Sequence, residues 1–175
     1  MSATYASLRN SKRLVDAMRQ LAGGVCVITA GRAPNRTGYT GTAVFSLSID
    51  PERIVISVSR GSSSFPAIRD AGAFGVNILS GDQQSIADRF AGRGGIAGEA
   101  RYHGAEWFET ANGVSLLQGA LAHVECRVEE IIERHSHAII IGQPLLIAAN
   151  SAADALIFWR SRYGSTGSGV QLAAE

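Results

Sequence analysis

The sequence predicts a mainly β protein, an antiparallel barrel with a few short helices at its periphery. Three observations carry that prediction. About seven short stretches read as strands and only three as helices. From Ala122 to Glu129, apolar Ala122, Val124, Cys126 and Val128 alternate with polar His123, Glu125, Arg127 and Glu129, the period of a half-buried strand. The second half of the chain also lacks the strand–helix rhythm that a doubly wound parallel sheet requires.

In order, Leu14, Met18 and Leu21 recur at helical spacing over Leu14 to Ala22, and Gly23-Gly24 supplies a stop. Val25 to Thr29 is a buried strand, and Gly31 to Arg36 a turn. Residues 37 to 65 read as two strands joined at Asp50-Pro51, followed by a helix start. A second helix runs from Pro66 to Ala71 and ends at Gly72, and Phe74 to Leu79 is a buried strand. Asp82 is placed to cap a third helix over Gln83 to Ala91, with Ile86 and Phe90 on one face. Residues 92–113 are glycine-rich and irregular, a long loop of the kind often tied to function. After the strand at 122–129, His137 to Ile141, Leu145 to Ala149 and Leu156 to Arg160 are further strands, and the tail 164–175 is expected to be flexible.

The 175 residues suit one domain with a core over about 14–163, since a chain of this size buries about 70% of its unfolded surface. With 46% apolar and 18% charged residues, disorder is excluded as the default. A net charge of +1 gives no reason to expect nucleic acid or an anionic membrane as partner. Cys26 and Cys126 stand far apart without a Cys-x-x-Cys, the pattern of buried thiols in a reducing compartment. No apolar run is long enough for a signal peptide or a bilayer span, so the expected location is cytoplasmic.

The chemistry concentrates between Thr37 and Phe65. Thr40, Gly41, Thr42 and Ala43 are small or hydroxylated where a core strand would be bulky, which lets a ligand approach the backbone. The next strand ends in Ser57, Ser59 and Arg60, and Ser62-Ser63-Ser64 opens a helix. Arg60, Ser63, Ser64 and the free N–H groups of a helix start suit a phosphate. The bland reading of the serines is capping and turn chemistry. A flat ligand against the small residues, with its phosphate at the helix start, joins the two halves of this stretch.

Other motifs lead elsewhere. Gly92-Arg93-Gly94-Gly95-Ile96-Ala97 matches a relaxed dinucleotide fingerprint but follows a helix and enters a loop, the wrong context for that fold. His135 and His137 share a strand face, but two histidines alone do not make a zinc site, so no metal is expected. His123 lies on the polar face of its strand and is expected to be exposed. No Gly-x-Ser-x-Gly elbow supports a serine nucleophile. Trp159 and Tyr163, in FWRSRY, read first as an amphipathic edge strand.

The run GYTGTAVFSLSIDPERIVISVSRGSSSFPAI, then FGVNILS, SIADRFAG and HAIIIG, resembles the short-chain flavin reductases over roughly residues 14–163. The resemblance implies an FMN-binding split β-barrel and an NAD(P)H:flavin oxidoreductase. Its cofactors would be FMN or FAD, with NADH or NADPH as co-substrate, and its partner a flavin-dependent monooxygenase component. It further implies a homodimer, with His137 near flavin and nicotinamide as the catalytic position, Phe90 near the flavin and Tyr163 at the border of the pocket. Relatives commonly carry an aspartate before that histidine. Ser136 stands there in this chain, so pKa tuning by that carboxylate is absent. Two other readings share the barrel: a flavin-binding protein without turnover, and an oxidase of the pyridoxamine-phosphate type. Few basic residues lie between Thr37 and Phe65, against the latter.

Overall fold

A computed structural model describes residues 13–150 and 153–167. Its centre is a seven-stranded antiparallel sheet in the order β3 (Thr37–Gly41), β2 (Cys26–Ala30), β6 (Ala73–Ile78), β9 (Ala122–Arg134), β10 (His137–Ala149), β5 (Glu52–Ser59), β4 (Val44–Ile49). The two edge strands, β3 and β4, are consecutive in the chain with only Thr42 and Ala43 between them. Three Cα–Cα steps span at most about 11 Å, so the sheet has to curl until its edges meet. The seam is closed by other bonds than a ladder. The Tyr39 hydroxyl donates to the Ser57 carbonyl at 2.9 Å, and the Ser57 N–H donates to the Ala43 carbonyl at 3.1 Å. This is the split barrel.

The expected single strand ahead of Asp50-Pro51 is therefore two strands on opposite edges. Gly41-Thr42-Ala43 is the corner, where small side chains let the chain turn away from one edge and join the other.

The barrel interior is filled by Ile28, Ile56, Val58, Phe74, Cys126 and Ile140, capped by Phe65 and Ile68 of α2 (Ser64–Ala71). Gly142 is required here, because a Cβ would lie 2.6 Å from the Phe74 ring and 2.9 Å from Cys126 Cβ. Burial pushes the Cys26 and Cys126 thiols up to about 12, the state of inert core residues. As expected, α2 ends at Gly72, which is left-handed at φ 63°.

A second core lies outside the barrel wall. Val25, Val27 and Leu79 pack there against Ile86, Ala87 and Phe90 of α3 (Gln84–Phe90), with Tyr102 and Leu156. Hence β2 is buried on both faces. Gly38 makes room for this layer, since a Cβ would lie 2.7 Å from the Phe90 ring.

Several boundaries differ from the sequence reading. α1 covers only Leu14–Met18, and Gly23–Gly24 forms a short strand, β1, paired with β11 (Leu156–Trp159). Asp82 does not cap α3; its carboxylate accepts the Ser80 hydroxyl at 2.5 Å. The strand at 122–129 runs on to Arg134, and 137–149 is one strand. Shifts in register after Ile141 and Pro144 absorb a proline that has no N–H to give. Residues 92–113 contain 3-10 turns at Arg93–Gly95 and Gly98–Tyr102 and the strand β7 (Trp107–Glu109), which pairs with β8 (Ser115–Leu117). The β7–β8 hairpin covers the polar face of β9. There His123 is half-buried rather than exposed, edge-on to Phe108, and burial lowers its pKa. Arg162–Ser165 forms β12 against β11, so the start of the supposed tail is ordered, while 168–175 lies outside the described residues. Among the described residues, no helix is long and apolar enough to cross a membrane.

Candidate functional site

The corner where the sheet edges meet is also where a cavity opens. It holds about 280 Å³ and is lined by Val25, Thr40, Gly41, Thr42, Ala91, Arg93, Phe158 and Tyr163. Each wall has a local cause. Thr40 is fixed by its hydroxyl, which donates to the Ala87 carbonyl of α3 at 2.6 Å. Gly41 has to lack a side chain because a Cβ would lie 2.9 Å from the Tyr39 ring, which packs against it. Phe158 and Tyr163 face each other across the β11–β12 hairpin, with ring centroids 5.1 Å apart and an edge-on angle of 62°. Burial and the nearby Asp88 raise the Tyr163 pKa, with Arg93 opposing, so its hydroxyl stays protonated at neutral pH. Two larger hollows adjoin. One of about 610 Å³ shares Thr42 and Phe158, and one of about 550 Å³ shares Tyr163.

The serine run lies beyond the far end of β3. The Ser63 and Thr37 hydroxyls are 3.0 Å apart, and Ser62 Oγ donates to the Ser59 carbonyl at 2.8 Å. Ser63 stands at the start of α2 without capping it, so the side-chain capping reading does not hold there. Ser64 is buried and its Oγ has no hydrogen-bond partner. In that first turn the Phe65 N–H already bonds the Ser62 carbonyl at 3.4 Å and Pro66 has no N–H, leaving the orphaned hydroxyl as the donor that fits an acceptor-rich group.

Arg60 is not the cation of this group. Its Nε pairs with Glu133 Oε2 at 2.6 Å, and Nη1 donates to the His135 carbonyl at 2.9 Å, which holds it on the β9–β10 turn. The cation beside Thr37 is Arg101, whose Nη1 lies 3.4 Å from Thr37 Oγ1 and also donates to the Gly38 carbonyl. Burial lowers the Arg101 pKa. Its neighbour Tyr102 donates to the Thr37 carbonyl at 2.6 Å, and Arg36 lies over the Tyr102 ring at 4.0 Å while binding Glu99 through two nitrogens. Loop 92–104 is thereby tied to β3.

The predicted residues thus fall into separate groups. Thr40, Gly41, Thr42 and Tyr163 share one cavity. Ala43 joins that corner to β5 through Ser57. Ser59 stands opposite His137 in the β5–β10 register, on the other flank of the barrel. His137 is exposed, its Nδ1 2.9 Å from the Ser136 hydroxyl, and is not among the cavity residues. Phe90, expected at the flavin, is a core residue at 1% exposure, packed on Tyr102 and Trp107 at centroid distances of 5.0 and 5.4 Å. Its neighbour Ala91 reaches the cavity instead. Sequence reasoning missed Thr37, Arg101, Arg93 and Phe158. The signal for Thr37 was its place at the head of the stretch 37–65, for Arg93 and Arg101 the glycine-rich segment, and for Phe158 the aromatic FWRSRY.

Among the described residues, no group of three or more His, Cys, Asp or Glu could hold a metal. Small residues, an aromatic wall and hydroxyls at a helix start suit a flat ligand with a phosphate.

Residues 18–167 match the family model described as flavin reductase like domain. The chain is 30% identical over 148 residues to an FMN reductase (NADH) RutF of Stutzerimonas stutzeri, covering 85% of this chain and 84% of that one. It is 31% identical over 144 residues to the 4-hydroxyphenylacetate 3-monooxygenase reductase component of Pseudomonas aeruginosa, covering 82% and 85%. The structure of BorF, the flavin reductase component of a bacterial two-component tryptophan halogenase, superposes with a TM-score of 0.78 at 27% identity, covering 91% of this chain and 96% of that one. The barrel, the corner cavity and these matches agree: the chain belongs to the flavin reductase like family.

Proposed function

We propose that this protein is an NADH-dependent flavin reductase that supplies reduced FMN or FAD to a separate monooxygenase component. The observation that carries the reading is the corner cavity, where Thr40-Gly41-Thr42 faces Phe158 and Tyr163 without a titrating pair. When both are bound, nicotinamide and flavin exchange a hydride between themselves, so the protein needs to supply binding and orientation rather than acid or base. The small residues of β3 admit a ring to the backbone, and the aromatic pair closes the opposite side against water. Ser63 and the first turn of α2, with Arg101 beside Thr37, take the phosphate. The preference for NADH rests on relatives named FMN reductase (NADH). The partner class rests on relatives named as components of two-component oxygenases and halogenases.

The experiment is a turnover assay following NADH absorbance across FMN and FAD concentrations, with NADPH in parallel, on protein washed free of flavin. Saturable dependence on added flavin, with NADH favoured, supports the reading. Flavin retained stoichiometrically, with activity indifferent to added flavin, replaces the diffusible product with a fixed prosthetic group. Flavin binding without NADH oxidation leaves the non-catalytic carrier.

A further inference from the structure

The glycine run after α3 lacks the strand–helix context of a dinucleotide fold, yet the structure gives it a place. Gly92, Gly94 and Gly95 all adopt left-handed backbone, at φ 75°, 68° and 77°. A Cβ at Gly94 or Gly95 would touch nothing within 4 Å, so the requirement there is conformational, not steric. The turn they form presents one side chain, Arg93, to the mouth of the corner cavity. Its Nε lies 3.1 Å from Asp88 Oδ1, and its guanidinium carbon 5.6 Å from the Tyr163 ring centroid. The side chain remains 60% exposed, and its terminal nitrogens have no hydrogen-bond partner among the described residues. By contrast Arg36 and Arg89 are spent on Glu99 and on backbone carbonyls, and Arg101 is held at Thr37 and the Gly38 carbonyl, the end of β3 assigned to the flavin phosphate. Arg93 is thus a held but unfilled fork at the cavity, the geometry that suits phosphate oxygens.

Two anionic groups have to be placed if flavin and reductant bind together. The Thr37–Ser63 end of β3 lies three residues from Thr40, about 10 Å along the strand. It serves the flavin phosphate under the reading above, which leaves the cavity mouth for the other anion. We propose that Arg93 is a specificity-determining residue that recognises the diphosphate of the reductant. The assignment rests on the reductase reading for its ligand, and Asp88 acts by steering the fork over Tyr163.

The test uses the full chain, Arg93→Ala and Arg93→Lys, each checked for an unchanged melting temperature, with Arg93→Gln replacing any variant that does not fold. The first readout is direct binding of ADP-ribose, which carries the diphosphate without the nicotinamide ring. The second is kcat/KM for NADH divided by kcat/KM for 1-benzyl-1,4-dihydronicotinamide, a reductant without phosphate. Arg93→Ala is expected to weaken ADP-ribose and to lower that ratio by the same factor, roughly tenfold to a hundredfold, with Lys in between. Unchanged ADP-ribose binding, an unchanged ratio, or no ADP-ribose binding by the parent protein overturns the assignment. A rise in KM for FMN but not for riboflavin also overturns it, by moving Arg93 to the flavin phosphate. Arg93-dependent ADP-ribose binding in a protein that reduces no flavin upholds Arg93 and sinks the reductase reading instead.

Discussion

The two flanks of this barrel are dressed differently. Outside β3, β2 and β6 the chain builds its own second layer from α3, loop 92–104 and the β11–β12 hairpin, and β2 is buried there on both faces. Outside β4, β5 and β10 no such layer exists among the described residues. Phe45 is 57% exposed, Ile49 77% and Ile147 55%, with Leu47, Ile139, Leu145 and Leu146 also open. A single exposed leucine means little, but seven large apolar side chains on two strands of the same flank, β4 and β10, suit a contact surface. The clothed flank holds a cavity because its second layer stops short at the sheet corner. The bare flank holds His137 and Ser59 with nothing opposite them. A second copy of the chain is the expected cover, which would turn two incomplete flanks into one enclosed site.

The largest effect is expected where the clothed flank is undone. Phe90→Ala removes the ring that joins α3 to Tyr102 and Trp107 and is expected to cost about 3–5 kcal/mol of stability, read by denaturant unfolding. Affinities for FMN and riboflavin should then fall together, because the ring supports the wall and does not touch the phosphate. A stable Phe90→Ala protein with selectively weakened flavin would return Phe90 to the site as the resemblance implied.

On the bare flank, Ile139→Asp places a charge in the middle of the proposed contact. The parent is expected to be a dimer by light scattering at micromolar concentration. The variant should dissociate at least about a hundredfold more readily, since an unpaired buried charge costs several kcal/mol. A parent that is monomeric at those concentrations would leave the bare flank without a second copy to cover it.

Between the flanks, replacing Ser63 and Ser64 together by Ala should weaken FMN by about 2 kcal/mol while riboflavin changes little. Titration of both ligands by fluorescence quenching reads this, and Arg60→Ala serves as the control. With its guanidinium committed to Glu133, Arg60 should leave the FMN-to-riboflavin ratio where it was. Equal losses for both ligands in the serine variant would reduce the serines to structural roles.

Strands that alternate or run apolar were legible in the sequence, as at 122–129 and in β2, because burial on one or both faces writes a period into the residues. The corner was half legible. Thr40 to Ala43 stood out as small, but pattern alone could not show that the chain crosses there from one sheet edge to the other, because topology is not local. Arg60 was misplaced for the same reason. In sequence it stands between Ser59 and the run Ser62-Ser63-Ser64, while its neighbours in space are Glu133 on β9 and His135 on the β9–β10 turn. Arg93 and Arg101 sit in a glycine-rich loop without period, so nothing local told them apart. Their roles come from the contacts that tie the loop to β3 and α3.

The smallest effect is expected at His137. Within one protomer His137 belongs to the bare flank, opposite Ser59, while Tyr163 belongs to the clothed one. If His137 contributes to the reductant site, it does so where a second copy brings the two flanks together. His137→Ala should then raise KM for NADH by roughly fivefold, the worth of about 1 kcal/mol for one neutral hydrogen bond, with FMN affinity little changed. The decisive measurement repeats the substitution in the Ile139→Asp background. Where the protein is monomeric, removing His137 should have no further effect on KM, because the contact has already been lost. Additive losses in the monomer would place His137 in the same protomer's site, by a path along the β5 rim past Ser59 and Ser62. Unchanged kinetics in both backgrounds would leave His137 as an exposed strand residue whose ring does no more than meet the Ser136 hydroxyl.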